Sequence, residues 1–281
     1  MRLSVIEALC EPSAAHNEDA WGRSGQAVWV LDGATGIGDR PHLAGPTDAA
    51  WFADRINTEL VEALAAAGDL GAALNRAVEA VREAATALCD LDSLPNFELP
   101  CASFTLVRAV GETALEFANL GDCRLAWRTG QGPVATFGTS GVTELDARME
   151  RLVAENLARG LTLEEVGAAA KALAREHRKL INIPEGYWIL DISGAGVPHL
   201  QLEVLQAGEP MDILLMSDGF SRLVDVFGRY DYDSLLAAAL NRGLAPLYAE
   251  LRASEAGDPE CRTFARNKTR DDATAVLLRF A

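Results

Sequence analysis

The chain has 281 residues, of which 49% are hydrophobic and 23% are charged, and its formal net charge at pH 7 is -16. This composition is typical of a folded globular protein and excludes an intrinsically disordered chain. The negative charge argues against binding to nucleic acid or to an anionic membrane, because it repels their phosphate groups. Any phosphate-bearing substrate would need a local positive charge, such as a metal ion.

The termini, cysteines and linkers indicate how the chain is organised. Glu7 and Glu11 fall where a signal peptide would be apolar, so we expect a cytoplasmic protein. The five cysteines are odd in number and lack close paired spacing, which predicts buried thiols rather than disulfides or a zinc site. No repeat, low-complexity tract or linker divides residues 1–281, which favours a single domain.

The first part of the chain predicts strands and a loop. A short apolar stretch begins at Val5 and leads into a polar segment. The apolar run at residues 28–31 stops at Asp32 before a glycine, as is typical of a buried strand. Residues 36–46 contain several Gly and Pro residues and predict a loop that overhangs the end of this strand.

Two helices are predicted next. Apolar residues at helical spacing indicate a helix that begins at Thr47 or Asp48 and runs toward Ala67. A second amphipathic pattern covers residues 70–88. These helices would form one packed helical layer.

The middle of the chain predicts a hairpin and a helical pair. Residues 102–107 and 114–122 are joined through a glycine and predict antiparallel strands, followed by a strand at 125–128. Residues 143–159 and 162–177 predict two helices, the second of which opens with a capping-box sequence.

The last part of the chain returns to strands. Strands are predicted at residues 187–190 and 200–205 and in the apolar run that ends at Asp218. A helix over residues 232–252 follows, and the final apolar run comes directly after Asp271. Helices grouped between blocks of antiparallel strands predict an α+β fold.

Carboxylates stand at the ends of several predicted strands. Taken singly, Asp32, Asp122, Asp218 or Asp271 would be typical of a turn. If the strands pair, however, these groups gather, and like charges raise one another's pKa unless a cation neutralises them. Oxygen ligands without a His or Cys cluster favour Mg²⁺ or Mn²⁺ over zinc. Two such ions about 3.5–4 Å apart activate a water and hold a phosphoryl group, so the pattern indicates phosphate ester hydrolysis.

Five short motifs add a resemblance to a known family. They are NEDA at residues 17–20, VLDGATG at 30–36, NLGDCR at 119–124, SDG at 217–219 and RDDAT at 270–274. In this order they resemble the motifs of the type-2C metal-dependent serine/threonine protein phosphatases, in particular bacterial-type members. The resemblance spans nearly the whole chain apart from a family-variable helical segment at about 139–204. It implies a four-layer αββα sandwich, with two antiparallel β-sheets between helical layers.

The resemblance also implies a metal site. Asp32 would bridge two Mn²⁺ or Mg²⁺ ions, and the carbonyl of Gly33 would coordinate one of them. Asp218 and Asp271 would complete the protein ligands of the other. These three aspartates are therefore the predicted catalytic residues.

Further acidic residues have implied roles at the same site. Glu18 and Asp19 would hold metal-bound waters, and Asp122 would serve the third, weaker ion of many bacterial members. The water between the two ions would attack phosphoserine or phosphothreonine. By this resemblance the partner is a phosphorylated protein, or another small phosphomonoester.

The sequence departs from the family pattern near the expected phosphate. Family members usually place an arginine five residues before Asp19, where this chain has Ala14. Loss of a guanidinium should weaken phosphate binding, because Arg forms paired, charge-assisted hydrogen bonds. His16 and Arg178 are the candidate substitutes for substrate binding. Asp272 stands where relatives often have Asn, which adds a negative charge that either tightens or misplaces a metal ion.

Two functions are consistent with these residues. The first is a metal-dependent phosphatase, favoured because all the positions for direct metal ligands are retained. The alternative is a catalytically weak pseudophosphatase that acts as a regulatory or binding module. Metal-dependent turnover of a phosphomonoester would distinguish them.

Overall fold

The computed structural model describes residues 1–38, 40–66, 68–138 and 143–281. Ala67, toward which the first predicted helix runs, lies outside the described residues, as do Asp39 in the predicted loop and residues 139–142 of the predicted variable segment.

Antiparallel strands form two sheets within the described ranges. The strands are β1 (Leu3–Glu11), β2 (Asp19–Ser24), β3 (Ala27–Ala34), β4 (Cys101–Val110), β5 (Ala114–Leu120), β6 (Arg124–Thr129), β7 (Ala135–Phe137), β8 (Leu190–Asp191), β9 (Gln201–Gln206), β10 (Met211–Met216) and β11 (Ala273–Phe280). Sheet A has the order β1-β11-β10-β6-β7. Sheet B has the order β2-β3-β4-β5-β9, with β8 paired to β4.

The described residues form seven helices. They are α1 (Asp48–Ala66), α2 (Leu70–Thr86), α3 (Thr143–Ala158), α4 (Leu163–Arg178), α5 (Asp218–Asp225), α6 (Tyr232–Arg242) and α7 (Leu244–Gly257). α1 and α2 share a buried cluster with sheet B, and α5, α6 and α7 share another with sheet A. The predicted α+β sandwich of four layers is confirmed.

β3 shows why the two sheets stack. Successive strand side chains point to opposite faces, so a strand between two layers is apolar on both. Trp29 and Leu31 belong to the cluster with α1 and α2, whereas Val28 and Val30 belong to the cluster between the sheets. Trp29, Val30 and Leu31 are fully buried. The unbroken apolar run that predicted this strand therefore fills two cores at once.

Two local predictions are corrected, and one helix was missed. The predicted helix at 232–252 is two helices, because Gly243 at φ +82° ends α6 before α7 begins. Of the predicted strand at 187–190, only Leu190 belongs to a strand, β8. The helix α5 after Asp218 was not predicted from the sequence.

The remaining predicted helices and the hairpin agree with the structure. Thr47 accepts a hydrogen bond from the Ala50 N–H at 3.0 Å at the start of α1. Thr162 and Glu165 form the predicted capping box at the start of α4. In the parts of the chain that the structure describes, no helix is long and apolar enough to cross a membrane.

Candidate metal centre

The register of sheet B places two carboxylates side by side. Asp19 lies opposite Asp32 in the β2–β3 pairing, and Asp32 lies opposite Ser103 in the β3–β4 pairing. The Ser103 hydroxyl donates to Asp122 Oδ1 at 2.5 Å, and the Asp122 N–H donates to Ser103 Oγ at 3.2 Å. Strand pairing thus brings Asp122 to the same end of the sheet as Asp19 and Asp32.

Asp218 reaches this cluster from sheet A. It is the first residue of α5, and its N–H donates to Asp32 Oδ2 at 3.3 Å. Ser217 and Thr274 fasten the junction, because the Ser217 N–H donates to the Thr274 carbonyl at 2.9 Å and the Thr274 N–H donates to Ser217 Oγ at 3.0 Å. The ends of β10 and β11 are therefore fixed against each other beside Asp32.

Asp271, just before β11, is bound to two cations. The Arg222 guanidinium donates from Nη2 to Asp271 Oδ2 at 2.6 Å, and the Lys268 ammonium forms an ion pair with Asp271 Oδ1. Arg222 also pairs with Glu255 at 3.4 Å and is only 6% exposed. Asp271 thus stands in the cluster with its charge already paired.

Asp272 organises the loop that precedes β2. Its Oδ1 accepts from the Ser13 N–H at 2.6 Å and its Oδ2 from the Glu18 N–H at 2.7 Å. A Cβ added at Gly219 would lie 1.8 Å from the Asp272 carbonyl oxygen, so α5 can start here only with glycine. Asp272 therefore fixes the position of Glu18, and the expected effect of its charge on a metal ion stays a prediction.

Gly33 lies under Glu18. The Gly33 N–H donates to the Glu18 carbonyl at 3.1 Å, and a Cβ at Gly33 would lie 2.4 Å from that oxygen. The Glu18 carboxylate accepts from the Thr35 hydroxyl at 2.8 Å. Backbone contact between the two segments thus places Glu18 at the rim of the cluster.

The carboxylates of the cluster have raised pKa values where cations are lacking. Burial, together with Asp271 and Asp218, raises the pKa of Asp19 to about 8. Burial and the charges of Asp218 and Asp19 raise the pKa of Asp32 well above its usual range. Burial and Asp218 raise the pKa of Asp122 to about 6. Without added positive charge, the Asp19 carboxyl is therefore mostly protonated at neutral pH.

Arg222 and Lys268 change the balance at the other end. Burial tends to raise the pKa of Asp218, but Arg222 and then Lys268 outweigh it and the pKa is lowered. Burial and Asp218 raise the pKa of Asp271, and the two cations oppose this rise. Positive charge in the cluster is therefore concentrated beside Asp218 and Asp271.

The donor atoms of this cluster fit a hard divalent cation. Carboxylate and carbonyl oxygens are the ligands that Mg²⁺ and Mn²⁺ prefer. Asp19 is 8% exposed, and its buried Oδ2 has no hydrogen-bond partner among the described residues. As the side chains stand, no three Asp, Glu, His or Cys residues in the described part of the chain are arranged to hold an ion. The chemistry fits an ion best at Asp19 and Asp32, whereas organic cations already engage Asp271.

The cluster opens into a cleft of about 740 Å³. α3 and α4 contribute one wall, with Leu145, Met149 and Arg178 among the lining residues. The Arg178 guanidinium donates to the Thr35 carbonyl at 3.0 Å and to Cys101 Sγ at 3.1 Å. The predicted variable segment thus forms part of the site.

His16 lies in a second, smaller cavity of about 260 Å³ on the other side of the cluster. Lys268 and Asp32 line both cavities. The structure therefore brings all the predicted site residues to one region, with His16 and Arg178 on different sides of it.

Sequence reasoning missed Arg222 and Lys268. Arg222 follows Asp218 by four residues, so both lie on one face of α5. That spacing was a usable signal, but only once α5 was known to be helical. Lys268 precedes Asp271 by three residues, and no regular element in the sequence indicated that they meet.

Comparisons with known proteins agree on one family. The sequence profile described as Protein phosphatase 2C matches residues 10–254. No curated protein sequence matches the chain.

Solved structures share the fold at low sequence identity. The serine/threonine phosphatase PstP/Ppp of Mycobacterium tuberculosis is 17% identical, with a TM-score of 0.56 and coverage of 99% of this chain and 98% of that one. PppA, described as a key regulatory component of the T6SS in Pseudomonas aeruginosa, is 18% identical, with a TM-score of 0.56 and coverage of 99% and 97%. A PstP catalytic domain in complex with two manganese ions is 18% identical, with a TM-score of 0.53 and coverage of 98% and 97%. From the profile match over most of its length, the chain belongs to the protein phosphatase 2C family.

Proposed function

We propose that the chain is a metal-dependent phosphatase that hydrolyses phosphoserine, phosphothreonine or another phosphomonoester. The observation that supports this most strongly is the buried, unpartnered Oδ2 of Asp19, which lies opposite Asp32, a residue that lines both cavities. An uncompensated group of hard oxygen donors calls for a divalent cation. The phosphatase family of the chain supports the same reading.

The residues of the cluster have distinct proposed roles. Asp32 and the Gly33 carbonyl would hold Mn²⁺ or Mg²⁺, with Asp218 approaching from sheet A. Glu18 and Asp19 would orient water at the site, and Asp122 would add a weaker ligand. When bound, divalent ions supply an activated water and neutralise charge on the phosphoryl group.

Arg178 is the better placed of the two proposed substrate residues. It comes from α4 into the larger cleft and is tied to Thr35, two residues after Gly33. His16 lines the smaller cavity beside Asp19. We propose that Arg178 binds a substrate phosphate in the larger cleft and that His16 assists from the other side. A cytoplasmic phosphorylated protein or a small phosphomonoester would be the substrate.

Hydrolysis of p-nitrophenyl phosphate tests this function. Turnover by the full chain should require Mn²⁺ or Mg²⁺ and should stop with EDTA. Asp32→Asn and Asp218→Asn should each lower kcat by at least about 100-fold, because each removes charge at the site of the ion. Asp54→Asn makes the same chemical change on an exposed face of α1 and should keep full activity. Turnover that survives EDTA, or is unchanged in Asp32→Asn, would refute the proposal.

A regulatory or binding module is the second candidate. Arg222 and Lys268 occupy the carboxylate of Asp271, and Ala14 supplies no cation for a phosphate. Both features would weaken catalysis without removing a metal site. Mn²⁺ binding without turnover of any phosphomonoester would favour this candidate over the enzyme.

A further inference from the structure

Arg222 is a buried cation inside the acidic cluster. It lies one helical turn after Asp218 on α5, so the helix that carries one carboxylate of the cluster also carries its counter-charge. Its guanidinium lies 2.6 Å from Asp271 Oδ2. A divalent ion bound at that oxygen would have to displace the guanidinium and would be repelled by its charge.

The second oxygen of Asp271 is engaged as well. Asp271 Oδ1 forms the ion pair with Lys268 and lies 3.2 Å from the Asp272 N–H. Both oxygens of this carboxylate thus have partners from the protein itself. By contrast, Asp19 Oδ2 has no hydrogen-bond partner among the residues described.

A network of buried groups fixes Arg222 in this position. Glu255 on α7 is fully buried and accepts from Arg222 at 3.4 Å and from Arg252 at 2.5 Å. Arg252 also donates to the Asp271 carbonyl at 2.6 Å. Because each partner is held by another, Arg222 cannot swing away as a surface side chain would. Its charge is a constant feature of the site.

From this asymmetry we propose that Arg222, supported by Lys268, takes the place of one divalent cation at the Asp218–Asp271 end of the cluster. The centre then binds one ion at the Asp19–Asp32 end, instead of the two that the family resemblance implies. This inference rests on the proposed metal-dependent function. It assigns Arg222 and Lys268 a part in setting the number of ions.

Counting bound ions tests the inference without any assay of activity. Isothermal titration calorimetry of the full chain with Mn²⁺ should show one ion in the wild type and two in Arg222→Met. Arg222→Lys retains the positive charge and should bind one ion. Arg178→Met is the matched control, because it removes a guanidinium from the same cleft that contacts no carboxylate of the cluster, and it should also bind one ion.

Lys268→Met provides a second test that holds even if Arg222→Met does not fold. The Lys268 side chain is 56% exposed, so its replacement should leave the fold intact while freeing Asp271 Oδ1. We expect a second, weaker Mn²⁺ binding step in this variant. Circular dichroism of each variant establishes that the fold is retained.

The possible outcomes separate the inference from the proposed function. Two ions in the wild type, or the same number in the wild type, Arg222→Met and Lys268→Met, would overturn the role of the cations and leave the metal centre standing. Absence of Mn²⁺ binding in every variant and in the wild type would overturn the proposed metal-dependent function itself.

Discussion

At the scale of single residues, Asp272 shows how one carboxylate can hold a loop of the site in position. Its two oxygens accept the backbone N–H groups of Ser13 and Glu18, and the side chain is 8% exposed. Hydrogen bonds to a charged acceptor are worth about 1.5–3 kcal/mol each, more than those between neutral groups. The loop that carries Glu18 therefore depends on this side chain for its position.

Replacing Asp272 should destabilise the loop and the site together. Asp272→Ala should lower the free energy of unfolding by about 2–4 kcal/mol, since it leaves two donors without their acceptor. Asp272→Asn keeps one carbonyl oxygen and should lose less. Urea unfolding followed by circular dichroism measures both, and equal losses in the two variants would contradict a role based on accepting hydrogen bonds.

The pattern of acids at strand ends predicted the cluster. Asp32, Asp218 and Asp271 each adjoin an apolar run, and such runs are expected to be buried because their side chains are hydrophobic. The two cations escaped prediction for a physical reason. Arg222 contacts Asp271, which lies 49 positions later in the sequence. The residues around Arg222 in the sequence do not show whether this arginine is buried or lies on the exposed face of a short helix. The hydrogen bonds of Asp272 also escaped prediction, because its partners are backbone N–H groups, which no sequence pattern shows.

At the scale of elements, the division between α6 and α7 depends on Gly243. Its φ of +82° lies in the left-handed region, and an added Cβ would lie 2.7 Å from Glu7 Oε2. The sequence predicted one continuous helix because the apolar spacing carries on through this glycine. Backbone conformation, and not hydrophobic periodicity, decides where α6 ends.

Gly243→Ala should therefore destabilise the protein. A residue with a Cβ costs about 1–2 kcal/mol in the left-handed region, and the contact with Glu7 adds to this. Gly167→Ala is the matched control within α4, where an added Cβ meets no atom within 4 Å. That variant should be stabilised by about 0.5–1 kcal/mol, because alanine favours a helix interior. Chemical denaturation of both variants tests the contrast, which fails if Gly243→Ala is neutral.

The order of the strands explains how distant motifs meet. β3 lies in sheet B and β10 and β11 lie in sheet A; β3 and β10 end, and β11 begins, at the same side of the sandwich. The sequence indicated buried strands but could not assign them to sheets: β5 and β6 are neighbours in the chain, yet β5 lies in sheet B and β6 pairs with β10 in sheet A. Sheet membership is a long-range property.

At the scale of the whole molecule, the acidic cluster should make stability depend on pH. In the folded chain the pKa of Asp19 is about 8, against an ordinary value of 3.8, and the pKa of Asp32 is raised as well. Between pH 3.8 and about pH 8 the folded state therefore binds more protons than the unfolded state, so the free energy of unfolding falls as pH rises. The contribution of Asp218, whose pKa is lowered, is lost only in more acidic solution.

We expect the metal-free protein to melt at a lower temperature near about pH 8.5 than near about pH 5.5, by on the order of 5 °C. Added Mn²⁺ should raise Tm more at the higher pH, because ions bind deprotonated carboxylates. Differential scanning fluorimetry in EDTA and in Mn²⁺ measures this. Asp32→Asn should make the Tm of the metal-free protein depend less on pH. A Tm of the metal-free protein that rises between about pH 5.5 and about pH 8.5 would contradict this expectation.

The order of helical and strand patterns predicted an α+β fold, and the family resemblance implied its four layers, whereas the prediction of a single domain over residues 1–281 stays a prediction. The helices α3 and α4 border the cleft and contribute Arg178, so the part of the chain with the weakest family resemblance contacts the region where substrate would bind. The metal ligands proposed here lie outside these two helices.

The most direct test of the account is a crystal structure of the full chain with Mn²⁺, using anomalous scattering at the manganese absorption edge. A metal centre built from this cluster should give an anomalous peak within bonding distance of the Asp32 carboxylate and the Gly33 carbonyl, on the side facing Asp19. No peak at Asp32, in crystals grown at a Mn²⁺ concentration that saturates the protein, would contradict a metal centre built from this cluster.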